Sequence, residues 1–295
     1  MKAIQDYLVK RKRQNYDTIV SCQVIPSLAK EGLSYYPDIP YLKDNAKSHM
    51  MDMYCPRMKG PLPVIINVHG DLVSGRKEYN RHFCMNLCKE GYVVFSVNYR
   101  LQPEVSLTDQ LQDLADAVMH VQKMSIELKM QADNLFLVGD GAGAMLCYYL
   151  LAIQNDPELA QLMQIETAPT VISSAAYISG PVYQKDYQQR LVSLSWPKGK
   201  KYRGYAYLKT ENPILAEHQP PTLFIASPAD PGFHKIKRVI DNYRNQQRVN
   251  YSLFLEKHSD YYTGMPVADP ELPQSVGVIE TIAEYFRIWR NNKTY

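Results

Sequence analysis

Six short runs of aliphatic and aromatic residues constrain this chain more than any other feature. They lie at 62–68 (LPVIINV), 92–98 (YVVFSVN), 134–139 (NLFLVG), 170–179 (TVISSAAYIS), 221–227 (PTLFIAS) and 251–256 (YSLFLE), each bounded by turn residues. The runs are apolar on both faces, as strands of a parallel sheet covered on two sides must be. Between them, 80–90, 107–128, 142–155 and 234–247 have helical periodicity, and 273–291 makes a final helix. Strand then helix, repeated, predicts an α/β fold: a doubly wound, mainly parallel sheet flanked by helices, with right-handed crossovers. The segment 48–56 (SHMMDMYCP) predicts an antiparallel strand at one edge.

A chain of 295 residues is long for one domain, but α/β folds of this size commonly keep a single core with insertions. Residues 1–45 and 181–216 do not fit the alternation and are expected to form a small cap over the carboxyl ends of the strands, where open α/β sheets bind ligands. No apolar stretch approaches a membrane span and the N-terminus lacks a secretory pattern, so the expected location is the cytoplasm. Cys22, Cys55, Cys84, Cys88 and Cys147 are odd in number and scattered, which argues for reduced thiols. The net charge of +3 is concentrated in 9–13 (VKRKR) and 197–203 (PKGKKYR), short runs that read as solvated loops or helix faces; nucleic-acid binding is not indicated. His49, His82, His120, His218 and His234 show no metal spacing, and the reading implies no cofactor.

The run Gly139-Asp140-Gly141-Ala142-Gly143 follows one predicted strand and opens a predicted helix. That is the context of the G-x-S-x-G turn, which needs its glycines because side chains there would collide. Here the central residue is Gly141 rather than serine. Upstream, a strand ends in His69-Gly70, from which backbone N–H groups can be supplied to a developing oxyanion. Asp230 follows the strand at 221–227 and His258 the strand at 251–256, giving the order turn, acid, histidine of a hydrolase triad.

With these marks, the chain from about 45 to 290 resembles the hormone-sensitive-lipase-like carboxylesterases of the α/β-hydrolase fold. The matching segments are VHG (68–70), VNYRLQPE (97–104) with Asp113 after it, GDGAGA (139–144), NPILAEHQPPTLFIASPAD (212–230) and KHSDYY around His258. Carried over by position, the resemblance implies Asp230 as triad acid, His258 as base, and oxyanion donors from the backbone of Gly70, Asp71 and Ala142. The nucleophile falls on Gly141. The family's HGGG run reads His69-Gly70-Asp71-Leu72, and an Asp71 carboxylate facing an oxyanion would oppose it. A ligand-trapping replacement would leave that loop alone, so Asp71 and Leu72 point to natural loss. Asp140 is expected to turn away from substrate, and Ser74 and Ser227 lie off the turn.

Three functions follow. The first is an esterase-like protein with weak or lost ester hydrolysis; the second is a non-catalytic module that binds or senses a small ester or carboxylate-type ligand. The third is an enzyme in which the Asp230–His258 pair acts as general base without a covalent intermediate. Tyr261 and Tyr262, beside His258, are the expected pocket residues among 23 tyrosines. No oligomeric state follows from the sequence.

Overall fold

A computed structural model describes residues 31–167, 172–181, 208, 212–230, 233–246, 251–255 and 273–290. Its strands are β1 (Leu33–Pro40), β2 (Met50–Pro56), β3 (Val64–Val68), β4 (Val93–Val97), β5 (Leu135–Asp140), β6 (Ile172–Ile178), β7 (Thr222–Ala226) and β8 (Tyr251–Leu255). The helices are α1 (Arg81–Lys89), α2 (Leu107–Glu127), α3 (Ala142–Asn155), α4 (Pro157–Met163), α5 (Pro213–Glu217), α6 (Phe233–Asn245) and α7 (Pro273–Trp289).

The strands form one sheet in the order β1-β2-β4-β3-β5-β6-β7-β8. β1 and β2 pair antiparallel, as do β2 and β4, and every other neighbour is parallel. Side chains of α1 and α7 (Phe83, Leu87, Ile282, Phe286) cover one face, and those of α2, α3 and α6 (Leu114, Leu146, Ile240) cover the other. The mainly parallel, doubly wound fold expected from the six runs is therefore present. Helix α3 is buried all round because its sequence, AGAMLCYYLLAIQN, offers no polar face until its end. Tyr148 and Tyr149 belong to that core. Helix α2 starts at a capping box in which Ser106 and Asp109 bond each other's backbone N–H, at 3.2 and 2.8 Å.

Three expectations are corrected. Residues 33–40, assigned to the cap, form the edge strand β1, because their backbone completes the otherwise open side of β2 and Tyr35 stacks on Tyr54 at 5.0 Å. The strand expected at the edge from 48–56 is accordingly one in from it. The runs are also not apolar throughout: Asn67 and Ser96, from two of them, are register partners, and Ser96 also pairs with Asp52 of β2, forming a buried polar row. At the other end of the proposed cap, 213–216 belong to helix α5, whose Leu215 and Ala216 join the core, while 1–30 and almost all of 181–211 lie outside the described residues. Helix α4 went unanticipated, although Asp156-Pro157-Glu158 is a start signal: the Asp156 carboxylate accepts both Glu158 and Leu159 N–H at 3.0 Å. Among the described residues, no helix is long and apolar enough to cross a membrane.

Candidate functional site

Strands β3, β5 and β7 run parallel, so their exits at 69–72, 140–142 and 227–230 emerge at one end of the sheet. The tightest is β5 to α3, where Gly141 alone makes the reversal with φ 51° and ψ −111°. Its N–H bonds the Ile178 carbonyl of β6 at 2.8 Å and its carbonyl accepts Met145 N–H at 3.3 Å. A Cβ on Gly139 would lie 2.6 Å from backbone atoms of Ala144 and Gly143, and one on Gly143 would overlap the Val68 carbonyl. At Gly141 the positive φ favours glycine, yet no described atom lies within 4 Å of where a Cβ would be. The flanking glycines are thus demanded by contact and the central one by backbone conformation alone. Gly143→Ala should cost about 3 kcal/mol through overpacking, whereas Gly141→Ala should cost about 1 kcal/mol through φ; urea unfolding midpoints check the ranking.

The loop after β3 packs against this turn. Gly70 N–H donates to Asp140 Oδ1 at 3.0 Å, and a Cβ on Gly70 would strike the same carboxylate. Of the three expected oxyanion donors, Gly70 is therefore corrected: its N–H is already engaged. Asp71 adopts φ 67°, a conformation Asp tolerates better than most residues. Its carboxylate accepts Val73 N–H (3.1 Å), Ser74 N–H (3.2 Å) and the Ser74 hydroxyl (2.5 Å), so it organises its own loop. Ala142 opens α3 and its N–H has no intrahelical acceptor. Leu72, which the sequence reading did not count as a donor, also has an N–H with no hydrogen-bond partner among the described residues.

Side chains around the loop fix its course. His69 stacks on Tyr99 at 4.3 Å, the Tyr99 hydroxyl donates to the His69 carbonyl at 2.8 Å, and burial pulls the imidazole down to about 4, so it is neutral. Gln102 N–H and the Gln110 side-chain amide both donate to the Leu72 carbonyl, at 2.8 and 3.2 Å. Arg100 makes a bidentate pair with buried Asp113, its Nε and Nη2 donating at 2.9 and 2.7 Å. The YRLQPE segment and Asp113 therefore brace the loop from behind. Asn80, Gln102 and Gln110 were missed because amides leave no signal in hydrophobic periodicity.

Asp230 is buried at the end of β7. Its carboxylate accepts Ser227 N–H at 2.7 Å, its own N–H donates to the Ser227 carbonyl at 2.9 Å, and the Ser227 hydroxyl accepts Ala229 N–H at 3.1 Å. Ser227 thus orders the loop carrying the acid. His258, Tyr261 and Tyr262 lie outside the described residues, and the described ones contain no cluster of His, Cys, Asp or Glu suited to a metal.

An eight-stranded sheet in which β2 alone is reversed, near one end, and a tight β5–α3 turn beside loops from β3 and β7, defines the α/β-hydrolase fold of esterases. Residues 51–233 match the BD-FAE family model, and the chain belongs to that family. It is 27% identical over 175 residues to ethyl acetate hydrolase of Pseudomonas putida, covering 55% of this chain and 54% of that one. Esterase B from Lactobacillus rhamnosis superposes with a TM-score of 0.82 at 18% identity, covering 99% of this chain and 96% of that chain. A truncated carbohydrate esterase from gut microbiota gives 0.68 at 15%, covering 88% and 97%. At such identities the two structures establish the fold alone. The chain spans between 4% and 54% of the length of curated relatives such as a fungal polyketide synthase and the ethyl acetate hydrolase.

Proposed function

We propose that this protein is an esterase-type α/β-hydrolase of hormone-sensitive-lipase-like descent in which Gly141 stands where the serine nucleophile would be. Acyl-enzyme chemistry is lost, and the space above Gly141 receives a small ester or carboxylate-type ligand without any cofactor. The observation that carries this reading is the Gly141 turn itself. Gly139 and Gly143 hold it by close contact, φ 51° is retained, and the direction a side chain would take is clear of described atoms. Asp230, Ala142 and Asp71 stand as acid and donors, with His258 as base and Tyr261 and Tyr262 at the pocket.

Relatives named as ester hydrolases support the same lineage. A short-chain nitrophenyl ester should be turned over no faster than by a serine-free control protein, with no burst of released phenol. A stoichiometric burst overturns the proposal. A second reading, direct general-base attack by water, draws on the burial and fixed geometry of Asp230. It expects slow burst-free hydrolysis that disappears in His258→Ala.

A further inference from the structure

We propose that Asp140 and Asn80 are positioning residues that latch the 69–72 loop to the β5–α3 turn, Asp140 acting through the Gly70 N–H, and that the latch loosens when Asp140 is protonated. Asp140 Oδ1 accepts two donors at once, Gly70 N–H at 3.0 Å and Asn80 Nδ2–H at 2.9 Å. The two bonds join β5, the loop after β3 and the start of α1 at one atom. From Asn80 the contacts continue through Asn67 and Ser96 to the Lys77 carbonyl, at 3.5, 3.4 and 3.2 Å. The latch is therefore the end of a built, buried network rather than an isolated surface pair.

Among the described residues, no cation balances this carboxylate. The titratable groups that face it are Asp71 on the loop, Cys84 on α1, Tyr99 after β4 and Cys147 on α3, with neutral His69 one residue from Gly70. Burial, reinforced by Asp71, pushes the Asp140 carboxyl up to about 6, against the Asn80 and Gly70 hydrogen bonds that pull it down. Protonation removes the charge-assisted character of both bonds, which are roughly twice as strong to a carboxylate as to a neutral acceptor. A carboxyl whose folded value exceeds its unfolded one gains stability as it is protonated, so acid loosening of the loop does not require this group to unfold the protein.

The functional consequence rests on the reading of 69–72 as the donor loop, but the latch is measured without ligand or turnover. Two-dimensional NMR of the intact protein between about pH 5 and about pH 8 should show the Gly70 amide proton moving upfield on acidification with a midpoint near 6. Its protection factor, the intrinsic exchange rate at each pH divided by the observed rate, should fall on acidification while far-ultraviolet circular dichroism stays constant. Asn80→Ala, which deletes a donor to the carboxylate, should raise the midpoint, and Asp140→Asn should abolish it. A Gly70 amide insensitive to pH, or a midpoint unmoved by Asn80→Ala, overturns the latch. Should Asp140→Asn fail to fold, the wild-type titration and Asn80→Ala still decide. Nitrophenyl ester turnover bears only on the nucleophile reading, so the two fail separately.

Discussion

Gly141→Ser is expected to convert the protein from one without measurable ester turnover to one that hydrolyses short-chain nitrophenyl esters with a burst. Removal of a triad serine costs about 10⁶ in turnover, so restoring it sets a ceiling of that order for the gain. The turn should accept the change: no described atom obstructs a side chain there. The cost of a non-glycine residue at φ 51° is about 1 kcal/mol, seen as a fall in Tm of about 2 to 4 °C. A butyl phosphonate carrying a nitrophenyl leaving group should add the mass of its phosphonyl group, with release of nitrophenol, to the introduced serine and not to the parent protein. If the variant folds but neither turns over ester nor captures phosphonate, Asp71→Gly in the same background separates two causes. Recovery assigns the failure to the loop; continued inertness removes Gly141 as a nucleophile position.

That experiment turns on one residue whose significance is legible in the sequence alone, and the reason is steric. A strand that must reverse into a helix within one residue, with the helix packed against neighbouring carbonyls, forces glycine at 139 and 143, and such a constraint is written in residue type. The six strand runs were legible for a similar reason, since burial on both faces leaves little room for polar side chains. Strand β1 was not, because an edge strand is half solvated and LSYYPDIP alternates weakly, with exposed Asp38 and Ile39 partly packed. The buried polar row was hidden too, as Asp52, Ser96 and Asn67 are far apart in sequence and become neighbours only through sheet register. The Asp140–Gly70 bond joins residues 70 apart, and no local pattern announces it.

The same polar row gives the largest effect expected on stability. Lys77 is buried with its ammonium 2.6 Å from Asp52, 2.9 Å from Asp38 and 3.0 Å from Glu78. Burial alone would lower its proton affinity, but the hydrogen bonds to Asp52 and Asp38 raise it above the ordinary lysine range, so the charge is present at neutral pH. Asp52 is fully buried, and without Lys77 its carboxylate keeps, among the described residues, only the Tyr35 hydroxyl (2.9 Å) and Asp38 N–H (3.0 Å). Lys77→Met preserves the stem and removes the charge. It should cost about 3 to 5 kcal/mol, the penalty for stranding one member of a buried pair. Asp52→Leu alone strands the ammonium, although Asp38 and Glu78 remain beside it, so its cost should be smaller. The double variant Lys77→Met/Asp52→Leu should regain much of the loss, because an apolar pair of similar volume can replace a buried ion pair at little cost. The difference between the double variant and the sum of the singles, read from urea unfolding, measures the coupling. Additive losses would mean the row is held by packing, and the ammonium would then have no special part in fixing β1 and β2 to the loop that leads into α1.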